Sequence, residues 1–182
     1  MFYTKSIIVG FCLVLLASCN SNIESDNFLS GKVTRVISGQ TIEVVIADTS
    51  EKTKVRIIGI DAPDLRQLPW GKTAKVRLSE LVLGLPIELE TEGSPKGDYP
   101  LGTLRDRFGR VNAHVWQEGV LVAHKLVREG CVLANTKYPH SYSNLLTNAQ
   151  EYARALGYGI WNPNQAMRYT PNQFRDRAKN KY

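Results

Sequence analysis

The chain has 182 residues, 43% of them hydrophobic, and a formal net charge of +6. That length supports one compact domain with its ends and hardly two, and three cysteines are too few for a disulfide scaffold. In the last fifteen residues Arg168, Arg175, Arg177, Lys179 and Lys181 stand against Asp176, a net +4. The body is therefore close to neutral, and net charge alone does not mark a nucleic-acid surface; such a tail suits anionic membrane equally well.

Residues 1–18 read as an export signal: Lys5 precedes the apolar run "IIVGFCLVLLA", too short for a membrane-spanning helix of about 20 residues. The run closes on "LASC", which resembles the lipobox of bacterial lipoproteins. That resemblance implies cleavage before Cys19 and a diacylglyceryl anchor on it, with residues 19–29 as a polar tether at the bacterial cell envelope, outside the cytoplasm. A plain secretory signal with an incidental Cys19 is the other reading. Cys131 is left alone in the mature part, where no intramolecular disulfide is available, and it reads as a small buried hydrophobe.

The domain itself is expected over residues 30–165. "GKVTRVI", "QTIEVVIA" and "KVRIIGI" are rich in β-branched residues and separated by turn signals, which predicts a three-stranded meander. "WGKTAKVRLSELVLG" places Ala74, Leu78, Leu81 and Val82 at helical spacing and ends at Gly84. "LPIELETE" and "GRVNAHVW" resume the strand pattern across a long Gly- and Pro-rich stretch read as a mobile loop. Two amphipathic helices follow in "VLVAHKLVREG" and "LLTNAQEYARALG", the second with Leu145, Ala149, Tyr152, Ala153 and Leu156 as its apolar stripe. Residues 166–182 are expected to be a basic, disordered tail.

The order β-β-β-α-β-β-α-α is too rich in strands for a helix bundle and lacks the alternation of a parallel sheet. It predicts a β-rich α+β domain, a five-stranded, partly open barrel of the OB type packed with three helices.

The motifs "GQTIEV", "VRIIGIDAPD", "DRFGR", "LVREG" and "GYGIWNP" occur in the order and approximate spacing of the staphylococcal nuclease (thermonuclease) family, which the chain resembles over about residues 31–165. The resemblance implies a calcium-dependent phosphodiesterase acting on DNA and RNA. It makes Arg56 and Arg110 the phosphate-binding arginines, Asp61 and the Ala62 carbonyl Ca²⁺ ligands, and Asp64 the match of a catalytic glutamate. Gln40 falls where the family has a second ligand aspartate, Ser38 where another acidic residue is common, and Phe108 where tyrosine is usual.

Phosphodiester hydrolysis needs these residue types. Charge builds on the phosphoryl oxygens in the transition state, and arginine forks and a hard cation stabilise it. Gln40 lacks one negative charge for Ca²⁺, whose affinity depends on ligand charge. Asp64 is one methylene shorter than glutamate, about 1.5 Å of reach, and a misplacement of about 1 Å costs some hundredfold in rate. Strand alternation puts Arg56 and Asp61 on opposite faces unless the chain bends near Gly59. "IDAPD" also has a simpler reading, a loop entry whose two aspartates cap backbone amides.

Arg105, Arg107 and Arg110 with Tyr138, His140 and Tyr142 of "YPHSY", joined by Tyr99 in the long loop, offer cations and aromatic faces for single-stranded nucleic acid. Tyr138 and Tyr142 equally suit covering the barrel edge. Asp98 or Asp106 could make good the missing charge. His114 and His124 have no Cys or His at ligand spacing and read as structural, so zinc is not implied. Two functions follow: a lipid-anchored endonuclease with a weakened metal site, or a non-catalytic OB module that binds nucleic acid or scaffolds the envelope. Neither requires an obligate protein partner, and a monomer is expected.

Overall fold

The computed structural model describes residues 28–92 and 105–180. The leader, Cys19, and the loop residues Asp98 and Tyr99 lie outside them. Strand β1 (Phe28–Ser38) begins two residues inside the stretch assigned to the tether and serves two neighbours. Its first half pairs antiparallel with β5 (Pro86–Glu90), and its second half with β2 (Thr41–Ile46), with register shifts after Val33 and Val36. Gly31 belongs to both pairings. A Cβ there would stand 2.9 Å from the Val45 carbonyl oxygen, so the approach of the backbones leaves no room for a side chain.

β2 pairs antiparallel with β3 (Lys52–Ile57), and β5 with β6 (Val111–Gln117). The barrel closes where β3 and β6 run parallel, with Val55 opposite Val111, Arg56 opposite Asn112 and Ile57 opposite Ala113. Alternation sends Val33, Val44, Val55, Ile57, Leu89 and Val115 inward, each fully buried. The expected five-stranded barrel is therefore present and closed, extended by the short β7 (Val120–Leu121) on β6. A second two-residue ladder joins β4 (Ile60–Asp61) to β8 (Leu133–Ala134).

Helix α1 (Trp70–Val82) buries Ala74, Leu78 and Val82 as its spacing predicts. Its Arg77 forms a two-pronged pair with Glu129 (2.6 and 2.8 Å), just past α2 (Val122–Arg128). Helix α3 (Ser143–Ala155) is rotated from the expected stripe: Leu146, Ala149 and Ala153 are buried, while Leu145, Tyr152 and Leu156 are exposed. Tyr152 is spent outside the core, with the Arg128 guanidinium 3.9 Å from its ring centroid.

The expectation of a disordered tail does not hold for residues 171–179. They form helix α4 (Pro171–Lys179), started by a full capping box in which Thr170 and Gln173 satisfy each other's backbone amides, with Pro171 at the first turn. The basic composition hid these start signals. Among the described residues no helix is long and apolar enough to cross a membrane.

Candidate active site

Arg56 lies at the closing seam of the barrel, and the next residues decide the site. The chain turns at Ile58 and Gly59, with Gly59 at φ +80, a conformation that side chains rarely adopt. A Cβ on Gly59 would also stand 2.6 Å from His140 Cε1 and from Leu146 Cδ1. This bend reverses the strand alternation, so Arg56 reaches over the turn. Its Nη2 donates to the Ile60 carbonyl at 2.6 Å and its Nη1 to the Ile57 carbonyl. Burial, with the charges of Arg110 and Arg175 nearby, pulls the Arg56 guanidinium down to about 10 against the opposing pull of Asp61. It remains a cation at neutral pH.

Arg110 immediately precedes β6, so the seam sets it beside β3. Its Nε and Nη2 both donate to Asp106 Oδ2 (2.9 and 2.7 Å), while Asp106 Oδ1 accepts the backbone amides of Phe108 and Arg110. Burial works to raise the Asp106 pKa, but these hydrogen bonds outweigh it and hold the carboxyl below its ordinary value of 3.8. Asp106 is thus committed to orienting Arg110. Arg56 and Arg110 line one cleft of about 390 Å³ together with Asn112, Glu92, Tyr138 and His140.

Gln40 follows Gly39, which packs so closely that a Cβ would lie 2.7 Å from that of Ala74 and 3.0 Å from that of Ala62. Its amide oxygen accepts the Ala62 backbone N–H at 2.6 Å. Asp61, with its side chain 12% exposed, accepts Arg175 Nη2 of α4 at 3.0 and 3.2 Å. Asp64 takes a forked pair from Arg66, Nε to Oδ1 at 2.9 Å and Nη2 to Oδ2 at 3.0 Å. The Arg66 hydrogen bonds hold the Asp64 carboxyl below 3.8, and Arg175 adds to this.

Calcium takes six to eight oxygens and binds more tightly as carboxylates accumulate. Here Gln40 offers a neutral oxygen already bonded to Ala62, and Asp61 the single carboxylate of the set, already facing a guanidinium. As folded, Gln40, Asp61 and Ala62 do not fit a calcium ion. The sequence shows the lost charge at Gln40 but not the arginine that arrives from α4.

The remaining nucleic-acid candidates separate. Tyr138 is 66% exposed at the cleft and Arg107 is exposed, its guanidinium 4.8 Å from the Phe108 ring centroid. Arg105 instead staples its loop to the barrel, donating to Thr53 Oγ1 (2.8 Å), the Gly109 carbonyl (2.9 Å) and Glu51 (2.5 Å). Tyr142 packs edge-on against His114 and Trp116 and donates its hydroxyl to Glu90 at 2.8 Å. These two residues are committed to the fold, which is the edge-covering alternative for Tyr142.

Sequence spacing missed Glu92 and did not join it to His114 and His140, although the ligand atoms of the three lie within 4.8 Å of one another. Glu92 accepts from Ser141 N at 2.7 Å and lies 2.7 Å from His114 Nε2, so it ties β5's exit to the start of α3. His140 has no periodic signal, since it enters the cleft from a loop. Cys131 is half-buried, and burial, then Glu129, pushes its thiol up to about 11, which keeps it unreactive.

A closed five-stranded barrel thus carries two arginines that line one cleft at its seam. The family is shown by sequence comparison. The profile of the family described as "Staphylococcal nuclease homologue" matches residues 54–163, and the chain belongs to that family. It is 27% identical to a thermonuclease of Staphylococcus hyicus over 87% of this chain and 96% of that one. It is 28% identical to an uncharacterized endonuclease of Haemophilus influenzae (81% and 74%) and 33% identical to endonuclease YncB of Bacillus subtilis (57% and 50%).

Proposed function

We propose that the protein is an endonuclease hydrolysing phosphodiester bonds of DNA or RNA, with single strands favoured. It is held at the bacterial envelope, outside the cytoplasm, through lipid on Cys19. The observation that carries the enzymatic reading is the pairing of Arg56 and Arg110 at one cleft, each fixed by its own bonds. Such fixed forks stabilise charge as it develops on phosphoryl oxygens without reorganising in the transition state. Exposed Tyr138 gives a neighbouring base a stacking face, and Arg107 a cation along the backbone.

Asp64 accepts a hydrogen bond from the attacking water and orients it. The depressed pKa set by Arg66 makes it a poor proton acceptor, so its contribution is positional. As water attacks phosphorus its proton passes to solvent, the P–O bond to the leaving oxygen breaks, and solvent returns a proton to that oxygen to give the free hydroxyl. The second reading, a non-catalytic binding module on the same surface, is favoured by the pairing of both Asp61 and Asp64 with arginines.

Digestion of single-stranded DNA by the full chain separates the two. Cleavage is expected, falling by about 10²–10³-fold in Arg56→Ala and in Arg110→Ala, the range for loss of one oxyanion-stabilising donor. Binding without cleavage above background by the folded protein would transfer the site to the binding module.

A further inference from the structure

The proposed reaction leaves unused helix α4, which reaches the site from outside the barrel. Arg175 Nη2 donates to both oxygens of Asp61 and to Asn172 Oδ1 on its own helix. Several independent contacts deliver it there. The capping box fixes the first turn, Pro171 is buried, and Gln67, itself 4% exposed, donates Nε2 to the Tyr169 carbonyl at 2.6 Å. The Arg177 guanidinium lies 4.3 Å from the Tyr169 ring centroid. A cation is therefore presented to a buried carboxylate by a specifically started and docked helix.

Charge balance explains why a guanidinium suits this place. Two carboxylates and a divalent cation are neutral together. With Gln40 in place of one carboxylate, a dication beside Asp61 would leave an uncompensated positive charge next to Arg56 and Arg110. A single guanidinium leaves none. A guanidinium also presents several donors in one plane, of which Asp61 and Asn172 use only the Nη2 end.

We propose that Arg175 occupies the cation's place in this site and, with Arg56 and Arg110, forms a three-arginine seat for a nucleic-acid phosphodiester that needs no divalent ion. The choice of ligand rests on the nuclease reading; the exclusion of the ion does not.

The test has two arms on the full chain. In the first, a fluorescent single-stranded oligonucleotide is titrated with EDTA and with millimolar Ca²⁺. Wild type binds equally well in both, Arg175→Met weakens binding by about tenfold or more, and Arg175→Lys retains most of it. Binding that requires Ca²⁺, or that tightens in Arg175→Met because the arginine was a plug, overturns the proposal. In the second arm Ca²⁺ alone is titrated calorimetrically, with circular dichroism to confirm folding. Wild type takes up none, and Gln40→Asp combined with Arg175→Met takes up one ion; uptake by wild type overturns the proposal. An oligonucleotide that never binds wild type removes the nucleic-acid reading, and the calcium arm still decides the exclusion of the ion.

Discussion

At the residue scale, the site depends on carboxylates that serve arginines. Asp106 fixes Arg110, and Arg66 fixes Asp64. Both carboxyl groups have folded pKa values depressed below 3.8. A depressed carboxylate stabilises the fold above its unfolded pKa, and the contribution is lost as pH falls through the folded pKa. Urea midpoints should therefore hold from pH 7 to about 5 and decline below about 4, with Asp106→Asn showing a shallower decline than wild type. An identical acid limb in Asp106→Asn would mean that Asp106 carries no part of it. Arg56, Arg110 and Asp61 could be named from the sequence because each sits inside a motif. Their conjunction was legible only through the resemblance and not from periodicity, since Arg56 meets Asp61 through the bend at Gly59 and Arg110 across the β3–β6 seam.

At the scale of elements, what periodicity reports well is a face pressed on the barrel. The strands and α1 were legible because alternation and helical spacing leave little choice about which side is buried. Helix α3 misled by about one position because its exposed flank also carries apolar residues, Tyr152 among them, that pair with arginine rather than with the core. Helix α4 escaped for the opposite reason, having almost no apolar face. Its stability lies in its first turn: Thr170 Oγ1 accepts the Gln173 amide, and the Gln173 side chain accepts the Thr170 amide at 2.9 Å. Thr170→Ala should cost the helix about 1 kcal/mol. Hydrogen exchange in residues 171–179 would show the fraying, and unchanged protection there would mean that docking, not capping, holds the helix.

At the scale of the whole molecule, the barrel is closed by the short parallel pairing of β3 with β6. Ile57 is fully buried at that seam, opposite Ala113. Ile57→Ala should destabilise the protein by about 2–5 kcal/mol, the range for large-to-small changes in a packed core. Chemical denaturation measures it, and a loss well under 1 kcal/mol would show that the seam relaxes around the missing methyls. Such a variant should lose nucleic-acid binding in parallel with folding, because the two arginines have no shared strand to keep them together.

That separation has a consequence for when the site is assembled. Arg56 and Arg110 are far apart in the chain and meet only across a parallel pairing, and such non-local contacts form late and reward the chain only after the intervening loop is closed. A chain that has not yet closed its barrel holds both side chains but no cleft. The barrel seam thus acts as an assembly step: on the proposed nuclease reading, the hazard to the cell begins when β6 docks on β3 and ends whenever that seam opens.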